Sequence, residues 1–298
     1  MNERTRGYES AAALRQALTD RLRQRALERG EDLQRLHRIV AFDRLLARLF
    51  HGDAQAPWIV KGGCALELRY RLAARATVDV DLSVPRTEGL GSTPREVIDV
   101  LLDRLREAAG RDIGDGFEVR IQAARQEFVA PPEGGARFPV EVRLAGRRFA
   151  NFHLDVGLGD AAVGEADILV GEELLAFAGI PAARVPVLSV AQQFAEKIHI
   201  YTLPRDGPSN TRVKDLADLV IMIERGPPDA SRTREAIEAT FTRRGTHPIP
   251  LSVPEPPDAW EAPYARLAEE TGLKARTVAD AHRLLTEFWR TLKPVSQP

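Results

Sequence analysis

The stretch from residue 59 to residue 84 constrains the fold of this chain more than any other. Its apolar start leads straight into the pair Gly62-Gly63, and leucines at helical spacing follow. Residues 78–84 then alternate, with valine and leucine on one face and Asp79 and Asp81 on the other. Period-two alternation is typical of a strand with one buried face. A strand, a glycine turn, a helix and a second strand in this order indicate a mixed α/β fold.

The two aspartates suggest chemistry as well as structure. Along a strand they stand about 7 Å apart on one face, where like charges are costly unless water or a cation lies between them. Mg²⁺ or Mn²⁺ accepts few carboxylates and leaves room for phosphate oxygens. Asp155 lies on the polar face of another predicted strand and is a candidate third ligand. We therefore predict a metal site at Asp79 and Asp81.

The glycine pair adds a second element of such a site. Glycines at the start of a helix let backbone amides approach a phosphate closely. Together with the acids, the Gly62-Gly63 turn predicts transfer of a phosphate-bearing group from a nucleoside triphosphate (NTP). Each part also has an ordinary explanation, because an Asp-x-Asp strand is often a solvated face and a glycine pair is often only a turn.

The remaining chain divides by its pattern. Helical spacing covers 10–29, 31–50 and 94–109, and strand alternation covers 117–123, 137–145 and 148–158. After about residue 170 all segments are predicted to be helical. These patterns predict N-terminal helices at 1–50, a mixed sheet domain at 51–170 and a helical domain at 171–298. The site is expected in the cleft between the last two.

Four local motifs, in order, resemble those of the AbiEii-type nucleotidyltransferase toxins, including the mycobacterial MenT group. They are "IVKGGCALELR" at 59–69, "VDVDL" at 78–82, "FAEKIHIY" at 194–201 and "RVKDLADL" at 212–219. The resemblance implies a nucleotidyltransferase-superfamily mixed sheet with flanking helices and a C-terminal helical domain.

The resemblance also implies roles for individual residues. Asp79 and Asp81 would bind the metal, and Lys197 and Asp215 would complete the catalytic set. The residues implied for nucleotide binding are Lys61, Gly62, Gly63 and Thr77. By contrast, Lys214 and Asp218 are predicted to belong to the polar, solvated face of their helix.

The implied activity is that of a toxin that adds nucleotides from an NTP to the 3′ acceptor end of tRNA and so blocks translation. A cognate antitoxin would be its partner. Residues 1–50 contain eleven arginines and seven acids, a surplus that favours a nucleic-acid acceptor. The candidate tRNA contacts are Arg21, Arg25, Arg35 and Arg38.

Composition bounds these expectations without deciding among them. The net charge is −1, the chain has a single cysteine, and no apolar run is long enough to span a membrane. We expect a cytoplasmic protein with no membrane partner and no internal disulfide. Two alternatives stay open: a nucleotidyltransferase acting on a small molecule such as an aminoglycoside, and a non-catalytic binding partner.

Overall fold

The computed structural model describes residues 8–52, 56–128, 132–204 and 212–292. Over the described residues, two long helices come first, and strands and helices alternate after them. The helices are Ala11–Arg29 (α1), Leu33–Leu49 (α2), Gly62–Tyr70 (α3), Pro94–Ala109 (α4), Val190–Thr202 (α5), Val213–Glu224 (α6), Ala230–Arg244 (α7), Glu261–Thr271 (α8) and Val278–Leu292 (α9). None of the described helices is both long and apolar enough to cross a bilayer.

The strands form one mixed sheet, with spatial order β3-β5-β6-β2-β1-β8-β7 and β4 paired to β5. Their bounds are Ile59–Lys61 (β1), Asp79–Val84 (β2), Phe117–Ile121 (β3), Gln126–Phe128 (β4), Gly135–Leu144 (β5), Arg147–Leu158 (β6), Asp167–Val170 (β7) and Arg184–Val187 (β8). Strands β1 and β2 are parallel to β8 and β6, respectively, while β5 runs antiparallel to both β3 and β6.

The described chain forms two compact units, each assembled from three stretches of sequence. The sheet unit comprises Met1–Val60, Val78–Leu158 and Ile168–Val187, and the helical unit comprises Lys61–Thr77, Gly159–Asp167 and Leu188–Pro298. The expected segments 1–50, 51–170 and 171–298 are contiguous, so this division crosses their boundaries. In particular, the glycine turn and α3 belong to the helical unit although they precede most of the strands.

The core of the sheet unit follows from the alternation in its strands. On β2 the side chains of Val80 and Leu82 are fully buried, while Asp79 and Asp81 on the opposite face are half-buried. Leu14, Leu18 and Leu22 recur every four residues along α1 and are also buried. Such spacing places them on one stripe of the helix, as expected for a helix that packs on a core.

The helical unit has its own apolar core, which α5, α6, α7, α8 and α9 supply together with Leu66 of α3. Helix α6 is the most deeply placed, because its residues 215–223 are all buried. Phe194 of α5 and Tyr264 of α8 are completely excluded from solvent. Tertiary packing of this extent, more than intrinsic helix propensity, stabilises the helices of the unit.

The sequence-based expectations for the fold are confirmed in class and in most elements. The helices expected at 10–29, 31–50 and 94–109 are present, and so are the strands expected near 117, 137 and 148. The expectation of an all-helical second half was wrong, because β8 lies in it and pairs with β1. Strand β8 has only four residues and contains Pro186, so it shows too little alternation to be recognised locally.

Candidate active site

A row of polar side chains, three of them aspartates, crosses three strands on one face of the sheet. The parallel register of β2 and β6 sets Asp79 beside His153 and Asp81 beside Asp155. The antiparallel register of β5 and β6 sets Arg137 beside Asp155. Because facing residues on neighbouring strands point the same way, these five half-buried side chains form a single polar patch. We call it the acidic row.

Arg137 is the cation of the acidic row. Its Nε and Nη2 donate to the two oxygens of Asp155 at 2.7 and 2.6 Å, a bidentate pair. The same Nη2 lies 3.7 Å from Asp79 Oδ2. The hydrogen bonds to Asp155 raise the pKa of Arg137, and the nearby charges of Asp79 and Asp81 raise it further. The guanidinium is therefore a permanent positive charge beside the predicted metal ligands.

The aspartate pair has the donor set that a hard divalent cation uses. Asp79 and Asp81 are half-buried carboxylates on one strand face, so both remain accessible to an ion from solvent. Asp155, the candidate third ligand, has both oxygens engaged by Arg137. Among the described residues, no group of three or more His, Cys, Asp or Glu side chains is arranged to hold a metal. The residues present thus fit an ion held by two carboxylates, with water and phosphate oxygens as its other ligands.

The glycine turn in the helical unit is shaped by close packing. Gly62 has φ of +64°, in the left-handed region that favours glycine. At Gly63 a Cβ atom would lie 2.8 Å from Thr77 Oγ1 and 3.0 Å from Thr77 Cβ. Thr77 itself is buried. The turn and the threonine, both expected at the nucleotide site, therefore lie in direct contact.

Lys61, expected near the triphosphate, is held in a buried ion cluster of the helical unit. Its Nζ lies 2.5 Å from Asp160 Oδ2 and 3.6 Å from Glu196 Oε2. Arg244 binds the same two carboxylates, at 2.8 Å from Asp160 and 3.7 Å from Glu196. Burial lowers the pKa of Lys61, but the charges of Glu196 and Asp160 outweigh it and the net shift is upward. The structure thus gives the lysine two protein partners.

A chain of hydrogen bonds continues from this cluster. Arg244 Nη1 lies 3.3 Å from His199 Nδ1, and His199 Nε2 lies 2.9 Å from Thr246 Oγ1. His199 is almost fully buried. Burial, and then the positive charge of Arg244, lower the pKa of His199 to about 4. The imidazole is therefore neutral at pH 7 and acts as a hydrogen-bonding part of the core.

Lys197 and Asp215 are brought together, as the resemblance implied. Lys197 Nζ lies 2.7 Å from Asp215 Oδ1 and 2.8 Å from Asp218 Oδ2. Arg75 forms a bidentate pair with Asp218, at 2.9 and 3.0 Å. Burial lowers the pKa of Lys197, but the charges of Asp218 and Asp215 dominate and raise it. The ammonium is therefore charged at physiological pH.

The prediction that Asp218 belongs to a solvated helix face was wrong. Its side chain has no exposed surface and binds both Lys197 and Arg75. Burial raises the pKa of Asp218, but Lys197 and Arg75 outweigh it and the net shift is downward. Lys214 is exposed, as predicted. Residues three positions apart on a helix share a face, so the spacing from Asp215 is the sequence signal that could have identified Asp218.

The pairing of three further charged residues escaped the sequence analysis. They are Arg137 of the acidic row, Arg75 beside Asp218, and Asp160 beside Lys61. Their partners lie on other segments of the chain, 143 residues away for Arg75, 99 for Asp160 and 18 for Arg137. No local spacing announces such pairs, although the alternation of β5 does place Arg137 on a polar strand face.

The four N-terminal arginines expected to contact tRNA have different environments. Arg25 binds Glu31 and Glu172 at 2.8 and 2.5 Å, and Arg35 is buried, with 7% of its surface exposed. Arg21 is exposed and covers the ring of Phe177. Arg38 is half-buried, and its guanidinium lies 3.9 Å from Asp32. Arg21 and Arg38 are thus the more accessible pair.

Comparison with known families decides the identity of this fold and its motifs. The profile of the family described as "Nucleotidyl transferase AbiEii toxin, Type IV TA system" matches residues 44–288. The chain belongs to this family. Its AbiEii membership makes it a nucleotidyltransferase toxin with an NTP as substrate, and implies a cognate antitoxin.

Solved structures place the AbiEii chain beside another toxin. MenT4, a nucleotidyltransferase toxin from Mycobacterium tuberculosis H37Rv, is 19% identical with a TM-score of 0.56, over 92% of this chain and 97% of MenT4. This likeness shows a shared fold. The antibiotic-resistance factor ANT(2'')-Ia is 17% identical, with a TM-score of 0.37, over 70% of this chain and 93% of its own. No curated protein sequence matches the chain.

Proposed function

We propose that this AbiEii protein transfers a nucleotidyl group from an NTP to the 3′ end of tRNA, with Mg²⁺ or Mn²⁺ held by Asp79 and Asp81. The acceptor 3′-hydroxyl oxygen forms a bond to the α-phosphorus, and the bond from that phosphorus to the bridging oxygen breaks. Pyrophosphate leaves, and the hydroxyl proton is released. Both tRNA and NTPs are cytoplasmic molecules, so the proposal places the protein in the cytoplasm.

One observation carries the metal assignment: Asp79 and Asp81 are half-buried carboxylates on one face of β2, fixed by the register with β6. A divalent cation at such a pair neutralises phosphate charge and orients the triphosphate. The protein contributes a rigid strand, which keeps both carboxylates in place before the substrate arrives. Asp155 is the weaker candidate because Arg137 occupies both of its oxygens.

Lys197 and Asp215 are proposed to serve the same reaction. The ammonium of Lys197 would offset negative charge on the departing pyrophosphate. Asp215 holds that ammonium at 2.7 Å, which supports an orienting role over that of a proton acceptor. The ammonium of Lys61 is bound by Asp160. Lys61 would therefore serve nucleotide binding by positioning the glycine turn that follows it. The amides of Gly62 and Gly63 and the hydroxyl of Thr77 remain the proposed nucleotide contacts.

The tRNA acceptor rests on the resemblance to the MenT group and on the arginine surplus of residues 1–50. Of the four candidate arginines, Arg21 and Arg38 are the accessible ones and are kept as proposed phosphate contacts. Arg25 and Arg35 are better explained by the fold, because Arg25 is bound by two glutamates and Arg35 is buried.

The alternatives predict other behaviour. A small-molecule nucleotidyltransferase would label an aminoglycoside and would be insensitive to the N-terminal arginines. A non-catalytic partner would release no pyrophosphate with any acceptor. Binding of an NTP alone does not separate these possibilities, whereas the identity of the labelled product does.

The decisive experiment supplies total tRNA, Mg²⁺ and each NTP in turn, labelled on the α-phosphate. We expect label at the tRNA 3′ end with at least one NTP, and none when the label is on the γ-phosphate. Asp79→Asn and Asp81→Asn should each abolish labelling while retaining the thermal unfolding midpoint. Label in an aminoglycoside and not in tRNA would replace the proposed acceptor.

Two additional measurements test the metal and the arginines. Chelation by EDTA should stop transfer, and added Mg²⁺ or Mn²⁺ should restore it; full activity in chelator would show that the aspartates are not metal ligands.

Charge reversal at Arg21 and Arg38 should reduce transfer to tRNA and weaken its dependence on salt. Arg104→Glu, an exposed charge reversal on α4, is the matched control.

A further inference from the structure

Arg137 has two carboxylates within reach, and only one of them is bound tightly. It forms the bidentate pair with Asp155 at 2.6 and 2.7 Å, while the same Nη2 lies 3.7 Å from Asp79 Oδ2. The side chain of Arg137 is one-third exposed, and that of Asp79 about one-quarter. A small rotation would therefore allow the guanidinium to close on Asp79.

Such a closure would oppose metal binding. A guanidinium and a divalent cation use the same carboxylate oxygens, and arginine cannot lose its proton to make way. The outcome of this competition for Asp79 depends on which carboxylate, Asp155 or Asp79, binds the guanidinium more firmly. A planar bidentate pair is the stronger arrangement, and Asp155 provides it.

We propose that Asp155 is a positioning residue that binds Arg137 and so keeps this guanidinium away from Asp79. On this view the third acid of the row is not a metal ligand, and the ion is held by Asp79 and Asp81 alone. The inference rests on the proposed metal site, and it explains why a third carboxylate lies beside the pair yet is tied to an arginine.

The proposal makes opposite predictions for the two members of the pair. Asp155→Asn removes the charge that holds Arg137, so the guanidinium turns to Asp79 and metal affinity falls. Arg137→Gln removes the competitor, so metal affinity rises. The double variant Arg137→Gln/Asp155→Asn has neither the competitor nor the residue that restrains it, and its affinity returns to the wild-type value.

The double variant separates this role from direct ligation. If Asp155 were itself a metal ligand, the double variant would stay as weak as Asp155→Asn. The double variant also removes both charges of the pair together, so no unpaired, half-buried charge is left to destabilise the fold. It therefore remains informative even if Asp155→Asn folds poorly.

The experiment is a titration of the full-length protein with Mn²⁺ alone, followed by the electron paramagnetic resonance signal of the free ion. We expect Asp155→Asn to raise the dissociation constant for Mn²⁺ about three- to tenfold, the size of one partly screened charge interaction. Arg137→Gln should lower the dissociation constant by a similar factor, and that of the double variant should lie within roughly twofold of the wild-type value. Arg143→Gln, which removes another arginine–carboxylate pair from β5, is the matched control and should have no effect.

The outcomes distinguish this inference from the proposed function. Wild-type affinity that survives both Asp79→Asn and Asp81→Asn would overturn the metal assignment and the inference with it. Affinity that depends on Asp79 and Asp81 but is unchanged in Asp155→Asn would overturn the inference alone. A double variant as weak as Asp155→Asn would also overturn it, and would make Asp155 a ligand.

Discussion

Lys197 and Asp218 form a buried ion pair, with 2.8 Å between Nζ and Oδ2. The carboxylate has no exposed surface, and its second partner, Arg75, arrives from a segment 143 residues earlier. This pair ties a lysine that the family resemblance assigns to catalysis to an aspartate that local sequence assigned to solvent. The position of Lys197 therefore depends on Asp218 as well as on Asp215.

Asp218→Asn should destabilise the protein by about 3–5 kcal/mol, because it leaves the buried charges of Lys197 and Arg75 without their common partner. Chemical denaturation at pH 7 measures the change in the free energy of unfolding. Lys214→Gln, an exposed change on the same helix, is the control and should stay within about 0.5 kcal/mol of wild type. Equal stabilities for the two variants would contradict the buried-pair interpretation.

Replacement of Lys197 should affect transfer more than its charge alone suggests. Its ammonium fits between two carboxylates at 2.7 and 2.8 Å, and a longer, planar guanidinium cannot reproduce both contacts. We expect Lys197→Arg and Lys197→Met each to reduce the transfer rate about 100-fold or more. Single-turnover rates with saturating NTP measure this. Near-normal activity of the arginine variant would show that any positive charge suffices.

His199 should make stability depend on pH. Its folded pKa, about 4, lies below the ordinary value of 6.5, so the unfolded chain takes up the proton first. The contribution is complete above pH 6.5 and is lost progressively as the pH falls toward about 4. The free energy of unfolding, measured with urea at several pH values across this window, should change less with pH for His199→Gln than for wild type. An imidazole that NMR finds protonated at pH 6 in the folded protein would refute the prediction.

Asp115 should be a stability residue of the sheet unit. Its carboxylate accepts hydrogen bonds from Arg48 at 2.6 and 2.8 Å, and each of the two side chains is only 1% exposed. Asp115→Asn should cost about 3–5 kcal/mol in the free energy of unfolding, because the guanidinium of Arg48 stays buried without its charge partner. Asp99→Asn breaks an exposed pair with Arg95 and should leave the free energy of unfolding almost unchanged. Similar losses in the two variants would argue against this account.

The sequence by itself determined the elements and the acidic pair. Alternation over residues 78–84 was enough to place Asp79 and Asp81 on one face of a strand, and helical spacing located α1, α2 and α4 within a few residues. These features are local, because the period of a strand or helix fixes which side chains share a face without reference to any other segment.

The tertiary structure alone decided which charges meet. Arg137 pairs with Asp155 only because β5 and β6 adopt one register, and Lys61 meets Asp160 across 99 residues of chain. Asp218 is buried only because Lys197 and Arg75 converge on it from other segments. A charged side chain is tolerated in a core when opposite charges compensate its lost hydration, and those partners are supplied by long-range contacts that no local pattern encodes.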